Sequence, residues 1–189
     1  MPLRKLRPHQ AEAVDAAALL LGGPSTGART SVVAACGTGK TTVGERVAYR
    51  VAPRGRRLLL FPTLDLLVQT ALTWHEAGWH NRRQKPLAVC SLSGDEGLLS
   101  AGVARATTNA TQLALWCSAL DQDLTVFATY PSLDVIVDAH TGPHGVTPLA
   151  PWDLIVVDEA HRTSGYIGKP WAAVHDDRFV PARRRLYLT

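Results

Sequence analysis

Ala34-Ala35-Cys36-Gly37-Thr38-Gly39-Lys40-Thr41 is the stretch whose reading decides the fold. It fits the pattern (A/G)xxxxGK(S/T). Gly37 and Gly39 let the backbone bend so that its N–H groups converge on one concavity, which suits phosphate oxygens. Lys40 reaches the β- and γ-phosphates of a nucleotide as a point charge, and the Thr41 hydroxyl is placed to ligate Mg²⁺. The first position is Ala34 and not Gly, so the strictest form of the pattern is not met. The surroundings compensate. Ser31 to Ala35 is a short run of small and β-branched residues that predicts a buried strand, and Lys40 to Val51 predicts a helix leaving the loop.

A second stretch answers the first. Leu154-Ile155-Val156-Val157-Asp158-Glu159-Ala160-His161 is an apolar strand that delivers two carboxylates to its end. Ligands of open α/β folds bind at that edge of the sheet. Asp158 is suited to hold Mg²⁺ through its water shell, and Glu159 to orient an attacking water.

Between these stretches, short apolar strands alternate with helices. Helices are predicted over Pro8–Leu21, Lys40–Val51, from Pro62 to about Glu76, Thr107–Leu120 and Ser132–His140. Strands are predicted at Leu58–Phe61, Leu87–Leu92, Leu124–Ala128 and Leu154–Val157, with a last one opening at Leu186. Continuous apolar strands alternating with helices mean a mainly parallel sheet covered on both faces, an α/β domain. No repeat or linker divides the chain.

The 189 residues suit one domain, and 46% apolar against 19% charged residues is globular composition. The net charge of +4 permits a polyanionic partner without demanding one. Sixteen of the 20 basic residues are Arg. Cys36, Cys90 and Cys117 are scattered and form no CxxC pair, which excludes a disulfide framework or zinc ribbon and fits a reducing cytoplasm. No apolar run approaches the roughly 20 residues of a membrane span. Arg4, Lys5 and Arg7 before Ala16–Gly23 imitate a signal peptide, but Glu12 and Asp15 make the segment an amphipathic helix.

ACGTGKT beside DEAH resembles the superfamily 2 helicases and translocases of the DEAD/DEAH-box type, within them the group of restriction-enzyme Res subunits. Other segments agree in the family's order. Arg7-Pro8-His9-Gln10 resembles the upstream RxxQ, in which Gln reads the adenine edge. Pro62 and Thr63 with Gln69 resemble motif Ia, on the nucleic-acid backbone. Ser91–Gly94 stands where motif Ib does. Thr129-Tyr130 resembles the segment that touches the tracked strand, and Leu186–Thr189 the opening of motif III.

This resemblance implies a RecA-like P-loop domain that binds ATP and Mg²⁺. It implies Lys40, Asp158, Glu159 and His161 as catalytic residues. Arg7, Gln10, Gly37, Thr38, Gly39, Lys40, Thr41 and Thr42 would surround ATP, and Thr41 and Asp158 would hold Mg²⁺. Nucleic acid, DNA favoured over RNA, is the implied partner. Motifs IV to VI and their arginine finger belong to a second RecA-like domain, so residues 1–189 are expected to be the first motor domain of a longer protein. Arg183, Arg184 and Arg185 precede the last predicted strand and do not match the finger motif. A P-loop kinase would need an acceptor-binding segment, which is not found. A nucleotide-gated adaptor without turnover is the alternative, against which the intact Lys40, Thr41, Asp158 and Glu159 argue.

Several signals are set aside. His75-Glu76-Ala77-Gly78-Trp79-His80 fails the HExxH spacing, and no structural metal is expected. Cys36 has no neighbouring His to activate it. Trp74, Trp79, Trp116, Trp152 and Trp171 are expected to pack rather than stack on bases. Arg54, Arg56 and Arg57 read as a solvated turn, and Arg82, Arg83 and Lys85 as a similar cluster.

Overall fold

The computed structural model describes residues 5–24, 26–78, 85–92, 94–119, 123–163 and 170–189. Arg4, Trp79, His80, Arg82, Arg83, Ser93 and Leu120, which figured in the readings above, lie outside the described residues.

Seven strands form one sheet in which every neighbouring pair is parallel. They are β1 (Ala28–Val32), β2 (Arg57–Phe61), β3 (Leu87–Val89), β4 (Arg105–Thr107), β5 (Thr125–Thr129), β6 (Leu154–Val157) and β7 (Arg184–Leu188), in the spatial order β1-β7-β6-β2-β5-β3-β4. The helices are α1 (Pro8–Leu21), α2 (Lys40–Val51), α3 (Leu64–Glu76), α4 (Glu96–Ser100), α5 (Ala110–Ser118) and α6 (Leu133–Thr141).

The sheet is buried on both faces, and alternate residues of each strand feed different cores. Leu59, Phe61, Phe127, Val156 and Leu186 pack with Val14 and Leu21 of α1, Val47 of α2 and Leu67 and Trp74 of α3. Leu58, Leu60, Val126, Ile155 and Val157 pack with Leu113 of α5, Ile136 of α6 and Trp152. Trp74 and Trp152 are therefore core residues, as expected.

The first strand lies earlier than Ser31–Ala35. Its ladder to β7 pairs Ala28 with Arg184 and Val32 with Leu188, which leaves Val33 79% exposed in the loop that follows. Thr107 belongs to β4 and not to the following helix, which begins at Ala110 behind an Asn109 cap whose side chain accepts from the Gln112 N–H. α4 and β4 are additional elements that the apolar pattern did not announce.

The reading of Arg56 and Arg57 as solvated is overturned. Both are buried, and Arg57 opens β2. Its guanidinium donates to Thr125 Oγ1 at 3.0 Å, to the Ala52 carbonyl at 2.6 Å and to Asp123 at 2.5 Å. Arg184 and Arg185 lie within β7 rather than before it. Arg185 is fully buried, donating to the Val174 and Val180 carbonyls and pairing with Asp177 at 2.7 Å.

Candidate nucleotide and nucleic-acid site

Topology brings the motif residues to one sheet edge. The phosphate loop follows β1, Thr189 follows β7, the acidic pair follows β6, Pro62 and Thr63 follow β2, and Tyr130 follows β5. Because the spatial order is β1-β7-β6-β2-β5, the loop after β1, Thr189 and the acidic pair gather at one half of this edge and the residues that resemble motif Ia and the TY segment at the other.

In the loop, Gly37 and Gly39 have φ of +78° and +91°, the left-handed region that only Gly adopts at low cost. Gly39 has a further reason. A Cβ there would lie 2.3 Å from Gln10 Nε2. Thr38 donates its hydroxyl to the Ala35 carbonyl at 2.6 Å, closing the turn. Lys40, Thr41 and Thr42 form the first turn of α2, so their side chains ring the helix N-terminus that favours anions.

Gln10 is 93% buried and fastens the loop to α1 (only 7% remains exposed). Its Nε2 donates to the Thr38 carbonyl at 2.7 Å, and its Oε1 accepts the Arg7 N–H at 2.9 Å. Its amide carries one further N–H and one further lone pair beyond these two bonds. Arg7 is exposed at the start of α1.

The acidic pair is held by its own backbone. Asp158 is buried, and its Oδ1 accepts the Glu159 N–H at 3.0 Å. Burial pushes the Asp158 carboxyl above its ordinary pKa, opposed by the Glu159 N–H and by Lys40. Glu159 takes φ +50°, a left-handed conformation that is uncommon for a residue with a Cβ and worth a functional explanation. The bend turns its carboxylate toward the loop, 3.2 Å from Lys40 Nζ. His161 Nδ1 lies 2.9 Å from Thr189 Oγ1 and 3.5 Å from Glu159 Oε2.

A second link ties the same turn to β7. The Thr163 hydroxyl donates to the Ala160 carbonyl at 2.7 Å, and His175 bridges Thr163 at 3.1 Å and Tyr187 at 3.2 Å. Sequence reasoning missed His175, which lies in no motif. Burial lowers its pKa and favours the neutral ring that can donate at one nitrogen and accept at the other.

The expectation for Thr129 and Tyr130 needs correction. Both are buried. Tyr130 donates its hydroxyl to the Asp158 carbonyl and its ring lies 5.7 Å from that of Trp171, while Thr129 Oγ1 bonds Ser132 at 2.9 Å. Tyr130 braces the turn of the acidic pair and Thr129 its own following turn, and neither buried side chain offers surface to a strand. Thr63 and Gln69 are exposed, and Pro62 half-buried. Thr63 also caps α3, accepting from the Leu66 N–H at 3.3 Å. No group of three or more His, Cys, Asp and Glu that could hold a metal by itself occurs among the described residues.

The family model of the type III restriction enzyme res subunit matches residues 3–189. The chain belongs to this family. Among solved structures, the res-subunit domain is similar to a nuclease-deletion mutant of the type ISP restriction-modification enzyme LlaGI in complex with a DNA substrate mimic. That likeness has 26% identity and a TM-score of 0.77, over 98% of this chain and 17% of the other. It is similar to the ATP-dependent type ISP enzyme LlaBIII bound to DNA at 27% identity and TM-score 0.71, over 99% of this chain and 13% of that one. The helicase domain of Pyrococcus furiosus Hef shares the fold at 20% identity and TM-score 0.59, over 97% of this chain and 32% of that chain. The res-subunit chain thus spans about a sixth or less of the two restriction enzymes it resembles. No curated protein matches it. Family and fold together make it a RecA-like domain of the superfamily 2 helicase kind. Among the described residues, no helix is long and apolar enough to cross a membrane.

Proposed function

We propose that this chain is the first motor domain of a nucleic-acid-dependent ATPase, binding ATP·Mg²⁺ and coupling its hydrolysis to movement on DNA. The observation that carries the reading is the meeting of Lys40 and Glu159 at 3.2 Å from opposite sides of β7. A phosphate-binding cation and a water-orienting carboxylate share one spot at the sheet edge.

The residues present fit the implied ligands. Left-handed Gly37 and Gly39 give the loop a concave backbone, and the α2 N-terminus favours an anion beside it. Thr41 and Asp158 are the oxygen donors for Mg²⁺, which is ordinarily bound by one or two protein ligands plus phosphates and waters. Bound there, the metal neutralises charge on the β- and γ-phosphates.

The chain's own residues do the rest. Lys40 leaves Glu159 for the phosphates, and the released carboxylate orients the attacking water and accepts its proton. Gln10 tests the base with its free N–H and lone pair while holding the loop through Thr38. His161 and Thr189 link the acidic pair to β7. Pro62, Thr63 and Gln69 lie along the nucleic-acid half of the edge, where Thr63 contacts phosphates. The second RecA-like domain supplies the arginine finger, worth about 10³–10⁵ in rate where it has been measured.

The test is steady-state ATP hydrolysis by the protein that carries this chain, with and without DNA or RNA. Turnover that rises with DNA and disappears in Lys40→Ala supports the reading. Binding of ATP with no turnover under any nucleic acid replaces it with a nucleotide-gated adaptor.

A further inference from the structure

A basic cleft opens at the edge of the sheet opposite the phosphate loop, where β2, β6 and β7 begin. Its volume is about 560 Å³, and Arg54, Arg56, Arg183 and Arg184 line it together with a single acid, Asp153. Four cations against one anion leave +3 here, in a chain whose formal net charge is +4. Such a local excess is what a polyanion footprint needs.

Asp153 is already engaged. Its Oδ2 accepts the Arg56 N–H at 2.8 Å, and its Oδ1 lies 3.4 Å from Arg183. Gly55 makes this approach possible, since a Cβ there would sit 2.8 Å from Asp153 Oδ2. The cleft's cations divide into floor and rim. Arg56 is buried over the Trp152 ring, 5.6 Å from its centre, and Arg184 is half-buried and donates to the Leu21 carbonyl at 2.5 Å. Arg54 is exposed and the Arg183 side chain is 64% exposed, so both face an incoming ligand.

We propose that this cleft is a second nucleic-acid contact, which grips backbone phosphates on the side of the domain away from ATP. The proposal rests on the motor reading above. All four cations are guanidinium groups, whose planar fork matches two phosphate oxygens at once. The remaining lining is small and aliphatic, including Val51, Pro53 and Pro151. It offers no aromatic face for bases and none of the aromatic anchors that centre protein interfaces. The contact therefore holds a strand or duplex without reading its sequence. ATP bound beyond β1 and β6 does not compete, because those phosphates lie at the other end of the strands.

The experiment measures binding of a fluorescent DNA duplex of mixed sequence across a salt series. The samples are the protein that carries this chain, its Arg54→Ala/Arg183→Ala form, and Arg54→Glu alone. The single exposed substitution guards against misfolding of the double variant. Each phosphate contact contributes about 0.9 to the slope of log K against log salt, so the double variant should flatten the slope by about 2. Affinity at low salt should fall at least about tenfold in both variants and equally for unrelated sequences, while binding of a fluorescent ATP analogue stays unchanged. Wild-type affinity and slope in both variants overturn the proposal and leave an acidic protein surface as the occupant. If Thr63→Ala/Gln69→Ala weakens DNA binding while the Arg variants do not, the motor reading stands and the cleft proposal alone falls. If the wild-type protein binds no nucleic acid, both fall.

Discussion

Lys40 Nζ and Glu159 Oε1 lie 3.2 Å apart, joined across the end of β7 by a carboxylate in left-handed backbone conformation. Both side chains are largely shielded from water, 12% and 24% exposed, so their attraction is screened less than that of a surface pair. On the proposed function, a bound nucleotide would have to separate this pair before Lys40 could reach phosphate and Glu159 could reach water.

Glu159→Gln removes the charge that holds Lys40 and the basicity that draws a proton from water. Binding of a fluorescent ATP analogue should be at least as tight as in wild type, while turnover in the protein that carries this chain falls by at least about 10². Asp158→Ala should instead weaken Mg²⁺-dependent binding. Equal loss of binding in both variants would refute the division of roles.

Gln10→Ala frees the phosphate loop from α1 as well as from the base edge. ATP affinity should drop about tenfold, the weight of one to two hydrogen bonds to a partly buried group, and ATP and GTP affinities should converge. Gly39→Ala should be worse, because its Cβ meets Gln10 in a strained φ. Titration of both variants with labelled ATP and GTP gives the comparison, and unchanged discrimination would remove Gln10 from base reading.

His161 and Thr189 should act as one unit. Each single Ala variant should keep ATP binding and lose most of the stimulation by DNA. The double variant should be no worse than either single one, since residues sharing a 2.9 Å contact are not additive. Additive losses in a double-mutant cycle would separate them.

His140 supplies a pH dependence. Its Nδ1 lies 3.0 Å from the Leu149 carbonyl and its Nε2 accepts from the Trp152 ring N–H at 3.0 Å, an arrangement open only to the neutral ring. Burial pushes its pKa down to about 4. The unfolded chain binds the proton more readily, so this contribution to stability is full above the ordinary His pKa of about 6.5 and is lost as pH falls toward 4. Between pH 7 and pH 5 the loss should be about 2 kcal/mol. Urea midpoints of wild type and His140→Asn at the two pH values test this, and the same pH slope in both would contradict it.

Arg57→Ala should cost about 3–5 kcal/mol, because it leaves Asp123 without its cation beside a buried strand end. A shift in urea midpoint at constant m-value measures it.

The elements of the site were legible because their chemistry is local. Pro8–Leu21, Lys40–Val51, Leu64–Glu76 and Leu154–Val157 have clear caps, breakers or uninterrupted apolar runs. Lys40 and Glu159 stand in sequence patterns from which the roles proposed for them are read. What escaped depends on contacts distant in sequence. The exact place of β1 is fixed by its ladder to β7 rather than by its own residues. Buried Arg57 looks solvent-bound in sequence, and Arg185 looks to precede the last strand, because their partners, Asp123 and Asp177, are part of no pattern. Tyr130 matched a family segment, but only its packing against Trp171 and the Asp158 carbonyl shows that its side chain points inward. β4, with its three residues of mixed polarity, has no periodicity to read.

The insertion of β7 between β1 and β6 also governs the order in which this domain comes into being. Ala28 finds its ladder partner at Arg184, so β1 waits for a strand made much later in synthesis before it joins the sheet. Until then β6 has an open edge, β1 and α1 have no sheet to rest on, and the phosphate loop lacks the Thr189 carbonyl that accepts the Ala34 N–H. Long-range parallel pairing of this kind is slow to form and exposes unpaired edges meanwhile. A nascent chain stalled before residue 184 would thus have β2, β5 and β6 available to pair while β1 and the loop after it still lacked their place beside β7.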